Sequence, residues 1–177
     1  TRIESSAASD VYKRQQTKYV ERKLKESTAK WNIITCHHSV FSPAKGRDFK
    51  FGREVWKPIF DKYNVDLVLN GHDHTYARGH IPEITETKKD ADELKTVYIT
   101  SVSGPKQYRQ DSSNLTEYLL KNGYELDKAA QFIQFFQVIT IDDNKLTYEA
   151  YTATGKEYDR FVIVKDHKTR TKRFSYN

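Results

Sequence analysis

Asn70-Gly71-His72-Asp73-His74-Thr75-Tyr76-Ala77-Arg78 is the stretch whose reading decides the fold. It follows Val65-Asp66-Leu67-Val68-Leu69, a short, β-branched apolar run bounded by Asn-Gly, which reads as a buried strand ending in a tight turn. Two imidazoles two residues apart, just past a strand end, can each offer a lone pair to a metal, and Gly71 is expected to let the backbone come close to whatever they hold. The alternative is a surface loop that happens to carry His72 and His74.

A second cluster bears on that choice. Trp31-Asn32-Ile33-Ile34-Thr35-Cys36 is another short apolar run, and it ends in His37-His38-Ser39-Val40-Phe41-Ser42. Between the clusters, Val55, Trp56, Ile59, Phe60 and Tyr63 fall at helical spacing, with Pro58 tolerable where the helix begins nearby. Strand, helix, strand in one sheet means a crossover joining parallel strands, whose ends lie on the same edge about 4.8 Å apart. His37 or His38 is therefore expected at the same rim as His72 and His74, the rim where open α/β sheets place their ligands.

Gly71-His72-Asp73-His74, preceded by Val-Asp-Leu-Val-Leu, resembles the last metal motif of the calcineurin-like metallophosphoesterases. Cys36-His37-His38-Ser39-Val40-Phe41-Ser42 resembles their preceding single-histidine motif, in the form seen in purple acid phosphatases, and Tyr76-Ala77-Arg78 also resembles that subgroup. The resemblance covers roughly residues 16 to 165. It implies an α/β fold: a parallel βαβ unit followed by antiparallel strands, forming the C-terminal half of an α/β/β/α sandwich. It also implies that His37 and His72 share one metal ion and that His74 goes to another. His38 is the candidate catalytic group, as a proton donor near the leaving oxygen or a polar residue packed beside the site. Arg78 and Arg47 are candidates for substrate contact, and Asp73 and Asn70 for orienting the ligands.

Composition is consistent with one folded domain. The chain has 177 residues, 37% hydrophobic and 13% aromatic, with a mean hydropathy of -0.83. No apolar stretch approaches the length of a membrane span. The net charge of +6 is a mild excess that the segment Lys165 to Arg173 can supply. Without aromatic-basic interleaving or a nucleic-acid motif, neither nucleic acid nor membrane is an expected partner. Cys36, the single cysteine, cannot form an internal disulfide; as His37's neighbour on a strand it points to the other face and is expected to pack in the core.

Residues 1 to 15 have no clean periodicity and no signal-peptide core, and Ser5 to Gln15 looks like translated adapter sequence. We expect a non-native or disordered leader there, with the N-terminal half of the domain absent from the chain. Gln16 to Ser27 reads as a helix with Tyr19, Val20, Lys23, Leu24 and Ser27 on one face. Pro43 to Gly52 is a polar loop at the rim, carrying Lys45 and Arg47. His80 to Lys95 reads as a charged surface loop, Thr96 to Val102 as a third strand, and Glu117 to Asn122 as a short helix. From Gln131 the alternation turns antiparallel: Phe135, Ile139 and Ile141 take one face, Leu146, Tyr148 and Ala150 alternate next, and Phe161 to Val164 close the meander. The domain is expected to span 16–165, followed by a frayed basic tail at 166–177, with His80 and His167 exposed.

The family's reaction uses two metal ions, Fe, Zn or Mn, to activate a water that attacks phosphorus in line. Two dications about 4 Å apart repel by roughly 17 kcal/mol at an effective dielectric of 20, so anionic ligands are required beside the neutral histidines. The sequence contains no Asp-x-His, no Gly-Asp and no Gly-Asn-His-Asp/Glu. The resemblance thus implies hydrolysis of a small-molecule phosphate ester by a secreted or periplasmic protein, and at most one ion and negligible turnover for this chain alone. The rival expectation is a non-catalytic fragment or binding module holding one structural metal or none.

Overall fold

A computed structural model of the chain describes residues 2–82 and 93–175. The first half contains α1 (Arg2–Glu26), β1 (Ile33–Cys36), a π-helical turn (Gly52–Trp56) running into α2 (Lys57–Lys62), β2 (Leu67–Asn70) and β3 (Tyr76–Pro82). The second contains β4 (Leu94–Thr100), α3 (Ser112–Asn122), β5 (Glu125–Ala130), β6 (Phe135–Asp142), β7 (Lys145–Thr152), β8 (Glu157–Lys165) and β9 (Lys172–Ser175).

Five strands form a mixed sheet in the order β1-β2-β4-β3-β5, and four form an antiparallel sheet, β6-β7-β8-β9. In the first sheet β1, β2 and β4 run parallel, with Cys36 opposite Asn70 and Asn70 opposite Thr100. Parallel strands then antiparallel ones is the class expected from the sequence. The period of two along β2 and β4 explains the layering. Leu67, Val97 and Ile99 face the second sheet, where they meet Phe135, Leu146, Tyr148 and Ile163. Val68 and Tyr98 face the other way, onto Leu24, Phe60 and Tyr118 beneath the helices. The result is a helical layer, a mixed sheet and an antiparallel sheet.

Several expectations are corrected. The helix begins at Arg2 and crosses the stretch expected as a leader, whose Glu4, Ala7, Ala8, Lys13 and Arg14 are all good helix formers. Its inner stripe is Thr17, Val20, Glu21 and Leu24, whereas Tyr19 is exposed. Thr17 Oγ1 accepts a hydrogen bond from Trp56 Nε1 at 3.1 Å, and Glu21 takes Lys62 Nζ at 3.0 Å, fixing α1 on α2. Pro58 lies in the first turn of α2, where its missing N–H costs nothing. The loop expected from His80 instead continues β3 to Pro82 and resumes as β4 at Leu94; its residues 83–92 lie outside the described ones. Charged Glu125–Ala130 makes an edge strand that period reading passes over.

The basic tail is not frayed at its strand. Lys172 opens β9 and Lys165 closes β8; both side chains are buried against Asp66, just ahead of β2. Lys165 Nζ donates to Asp66 at 2.8 and 2.9 Å and to Lys30 O at 2.7 Å, while Lys172 Nζ donates to Val65 O at 2.8 Å. Asp66 Oδ2 also accepts the Asn32 N–H at 2.7 Å. One carboxylate thus ties both sheets together at the edge opposite the histidines.

Candidate metal centre

Pairing of β1 with β2 delivers the two histidine clusters to one rim. Beyond the Cys36–Asn70 pair, the Gly71 N–H donates to His37 O at 3.0 Å and Ser39 Oγ donates to Gly71 O at 2.9 Å. Asn70 locks the two turns together. Its Nδ2 donates to Cys36 O at 3.1 Å and meets Cys36 Sγ at 3.0 Å, and its Oδ1 accepts the Val40 N–H at 3.4 Å. Cys36 is half-buried, and burial pushes its thiol up to about 11, which makes it a poor nucleophile at neutral pH.

Gly71 is not what the turn requires. A Cβ placed there would lie 3.8 Å from His37 O, an ordinary contact. The left-handed backbone falls instead on His72, with φ 67°, and His74, with φ 48°. Such conformations cost of order 1–3 kcal/mol each for non-glycine residues and cluster at functional sites. They curl the stretch, so the extended geometry that would turn Asp73 away from the histidines is absent. Asp73 is buried at 1% exposure, and its Oδ2 has no hydrogen-bond partner among the described residues.

His37 Nε2 lies 3.1 Å from His72 Nδ1. The His38 ring sits 4.3 Å from that of His72, and its other side stacks on Phe49 at 5.0 Å. Burial first, then neighbouring charge from His37, holds His38 below the ordinary histidine value; burial, His38 and Arg47 do the same for His72. Both rings are thereby favoured in the neutral form that a metal requires. Arg47 Nη1 donates to His72 Nε2 at 2.7 Å, and its Nη2 donates to Tyr108 Oη at 3.0 Å. His74 stands apart: its Nδ1 bonds Lys106 O at 2.9 Å, and its ring lies 4.8 Å from that of Tyr108. A carbonyl only accepts, so Nδ1 carries the proton and His74 Nε2 keeps its lone pair.

These donors fit one cation in part. Two imidazole nitrogens bound at about 2.0–2.1 Å to one ion stand about 2.9–3.4 Å apart for cis to tetrahedral angles, and the 3.1 Å separation falls in that range. A buried carboxylate oxygen without a partner adds a negative charge nearby. The donors do not make a dinuclear centre: among the described residues no group of three or more His, Cys, Asp or Glu is close enough to hold a metal.

Comparison with known proteins finds similarity over the same residues. The family model for calcineurin-like phosphoesterases matches residues 4–76, which contain both histidine clusters. Over these residues, about two fifths of its length, the chain is similar to the calcineurin-like phosphoesterases. Purple acid phosphatase 17 of Arabidopsis thaliana is 32% identical over 97 residues, 55% of this chain and 26% of that protein. An uncharacterised protein of Mycobacterium tuberculosis is 39% identical over 59 residues, 32% of this chain and 11% of that protein. In fold, the chain is similar to a purple acid phosphatase from yellow lupin (Lupinus luteus) seeds, with a TM-score of 0.66 at 22% identity over 86% of this chain and 28% of that one. It spans about a tenth to a quarter of the length of these curated relatives. The similarities are to phosphoesterases, purple acid phosphatases among them. Among its described residues no helix is long and apolar enough to cross a membrane.

Within this chain, the other expected site residues separate. Arg47 joins the histidines, whereas Arg78 is committed elsewhere: Nε donates to Asp159 Oδ2 at 2.7 Å and Nη1 pairs with Asp127 at 2.8 Å, with the group lying over the Phe161 ring. Tyr76 Oη donates to the same Asp159 oxygen at 2.7 Å. His80, expected to be exposed, is buried beside Asp127 at 3.0 Å, and His167 is half-buried with its ring edge-on to Trp31. Lys106 and Tyr108 were not singled out by sequence. Lys106, and after it Arg47, hold the Tyr108 phenol below its ordinary value. The signal was available in the turn Ser103-Gly104-Pro105: it follows β4, which runs parallel to β2 and so ends at the same rim.

Proposed function

We propose that the chain is the C-terminal half of a metal-dependent, purple acid phosphatase-like phosphomonoesterase. In this reading His37 and His72 hold one cation, Fe, Zn or Mn, and His74 offers its Nε2 to a second in the complete protein. When bound, such ions polarise phosphate oxygens and lower the pKa of water. The chain's own residues bind and orient. Asn70 keeps the turn of His37 against that of His72, and the Lys106 carbonyl fixes the tautomer of His74. His38, beside His72 and backed by Phe49, is the group placed to donate an N–H hydrogen bond toward the leaving oxygen. Arg47 faces the substrate phosphate, and Asp73 sets the charge beneath the rings. The observation that carries this reading is the 3.1 Å approach of His37 Nε2 to His72 Nδ1.

The anionic ligands that would offset two dications belong, on this proposal, to a first half outside the chain. The chain alone then holds at most one ion and turns over negligibly. We place the complete protein outside the cytoplasm, in keeping with its purple acid phosphatase relatives, with small phosphate esters as substrates.

The second reading, a binding module with one structural metal or none, draws on the absence of a complete ligand group among the described residues. Metal analysis and p-nitrophenyl phosphate hydrolysis by the complete gene product, with His72→Ala as control, separate the two. Hydrolysis that His72→Ala abolishes supports the enzyme; bound metal with no hydrolysis establishes the module.

A further inference from the structure

We propose that Arg47, Lys106 and Tyr108 form a clamp for a phosphate dianion, beside the histidines and independent of any metal ion. The clamp shares Arg47 with the reading above, yet each can fail without the other.

Its backbone is fixed in advance. Two segments far apart in the chain run antiparallel here: Ala44 bridges Gln110, the Lys45 N–H donates to Arg109 O at 2.8 Å, and the Asp111 N–H donates to Pro43 O at 2.9 Å. The Tyr108 N–H donates to His74 O at 3.0 Å, and Asn114 Nδ2 donates to Arg47 O at 3.3 Å. Little ordering is left for a ligand to impose, which is what favours binding by a small group.

The side chains gather charge without offsetting it. The Arg47 guanidinium carbon lies 5.0 Å from the centre of the Tyr108 ring, and Lys106 Nζ stands 5.3 Å from the same centre. Two cations on one phenol repel each other, and among the described residues neither forms an ion pair with a carboxylate. Elsewhere the chain does neutralise such groups: Arg53 meets Asp48, and Arg78 meets two aspartates.

Donors are also left over. A guanidinium has five N–H groups and no acceptor; Arg47 Nη2 donates to Tyr108 Oη at 3.0 Å and its Nη1 lies 2.7 Å from His72 Nε2, so three remain. Tyr108 Oη accepts from Arg47 and keeps its own O–H to give, and Lys106 adds an ammonium. Two uncompensated cations call for two negative charges on one small, oxygen-rich group. A phosphate carries about −1.5 to −2 at pH 7, and its oxygens suit both a guanidinium fork and a point charge.

The test uses the full chain in chelator, with no metal added, titrated with inorganic phosphate by calorimetry just above neutral pH. Lys106→Ala is expected to weaken binding about fivefold or more and Tyr108→Phe about threefold, whereas Lys106→Arg stays within about twofold of the parent. Lys168→Ala removes an equal charge from an exposed turn at the opposite edge and is expected to change nothing. Lys106 is exposed, so its variants keep the fold, which circular dichroism checks. Phenyl phosphate binding at least as tightly as inorganic phosphate marks the phosphate of an ester as the ligand, and weaker binding marks the free ion; the clamp stands in both cases. No phosphate binding by the metal-free chain, unchanged binding in Lys106→Ala or Tyr108→Phe, or equal losses in Lys106→Ala and either Lys106→Arg or Lys168→Ala overturns it. Hydrolysis that His72→Ala abolishes would survive that result, and its absence would leave the clamp in place.

Discussion

His37 Nε2 lies 3.1 Å from His72 Nδ1, although 35 positions separate the two residues. Neither ring is brought there by its own loop; the parallel register that sets Cys36 against Asn70 places both turns. The first prediction follows. His37→Ala and His72→Ala should each weaken zinc binding by at least tenfold, while Asp127→Asn, remote from the rim, should leave it unchanged. Competition with a chromogenic chelator measures both, and equal loss in all three would dissolve the pairing.

Arg78 separates a structural role from a substrate role. With Asp159 and Asp127 as its partners, Arg78→Ala should cost about 3–5 kcal/mol by stranding buried charge. Urea denaturation gives the number. Zinc and phosphate affinities of the folded fraction should match the parent chain; a selective loss of phosphate binding would return Arg78 to the site.

The Asp66 junction predicts a rise in stability with alkaline pH. Burial, opposed by Asp66, lowers the Lys172 ammonium to about 8, against about 10.4 in an unfolded chain. Below pH 8 both states hold the proton and the cost of burying the charge is fully present. Between about pH 8 and 10 the unfolded chain binds more protons, so stability increases with pH, by on the order of 3 kcal/mol from this group. Lys172→Met should flatten that rise, whereas Asp66→Asn should destabilise at every pH. Urea midpoints from pH 7 to 10 decide it, and an unchanged slope in Lys172→Met would refute the assignment.

Gly79 sits where backbone leaves no room for a side chain. A Cβ there would lie 2.3 Å from Glu125 O and 2.4 Å from Tyr124 Cζ, across the junction of β3 and β5. Gly79→Ala should therefore cost about 1–3 kcal/mol from overpacking, read as a fall in the thermal midpoint. Gly71→Ala, with only an ordinary contact at 3.8 Å, should cost much less.

The central strands and the rim were legible because their signals are local. Ile33–Cys36 and Leu67–Asn70 are short apolar runs, and a period of two holds whatever surrounds them. The meander from Phe135 was legible for the same reason. Glu125–Ala130 and the strand at Lys172 were not, because their residues carry charge and their burial is decided by partners far along the chain.

By itself, then, the sequence determined that two runs ending in histidines would be strands and that a crossover would seat those histidines at one edge. Only the tertiary structure decided where the charged groups went: Arg47 to His72, Arg78 to two aspartates, Lys165 and Lys172 to Asp66. The physical reason is that apolar periodicity is written in neighbouring residues, whereas the cost of burying a charge is settled by whichever opposite charge the fold carries to it.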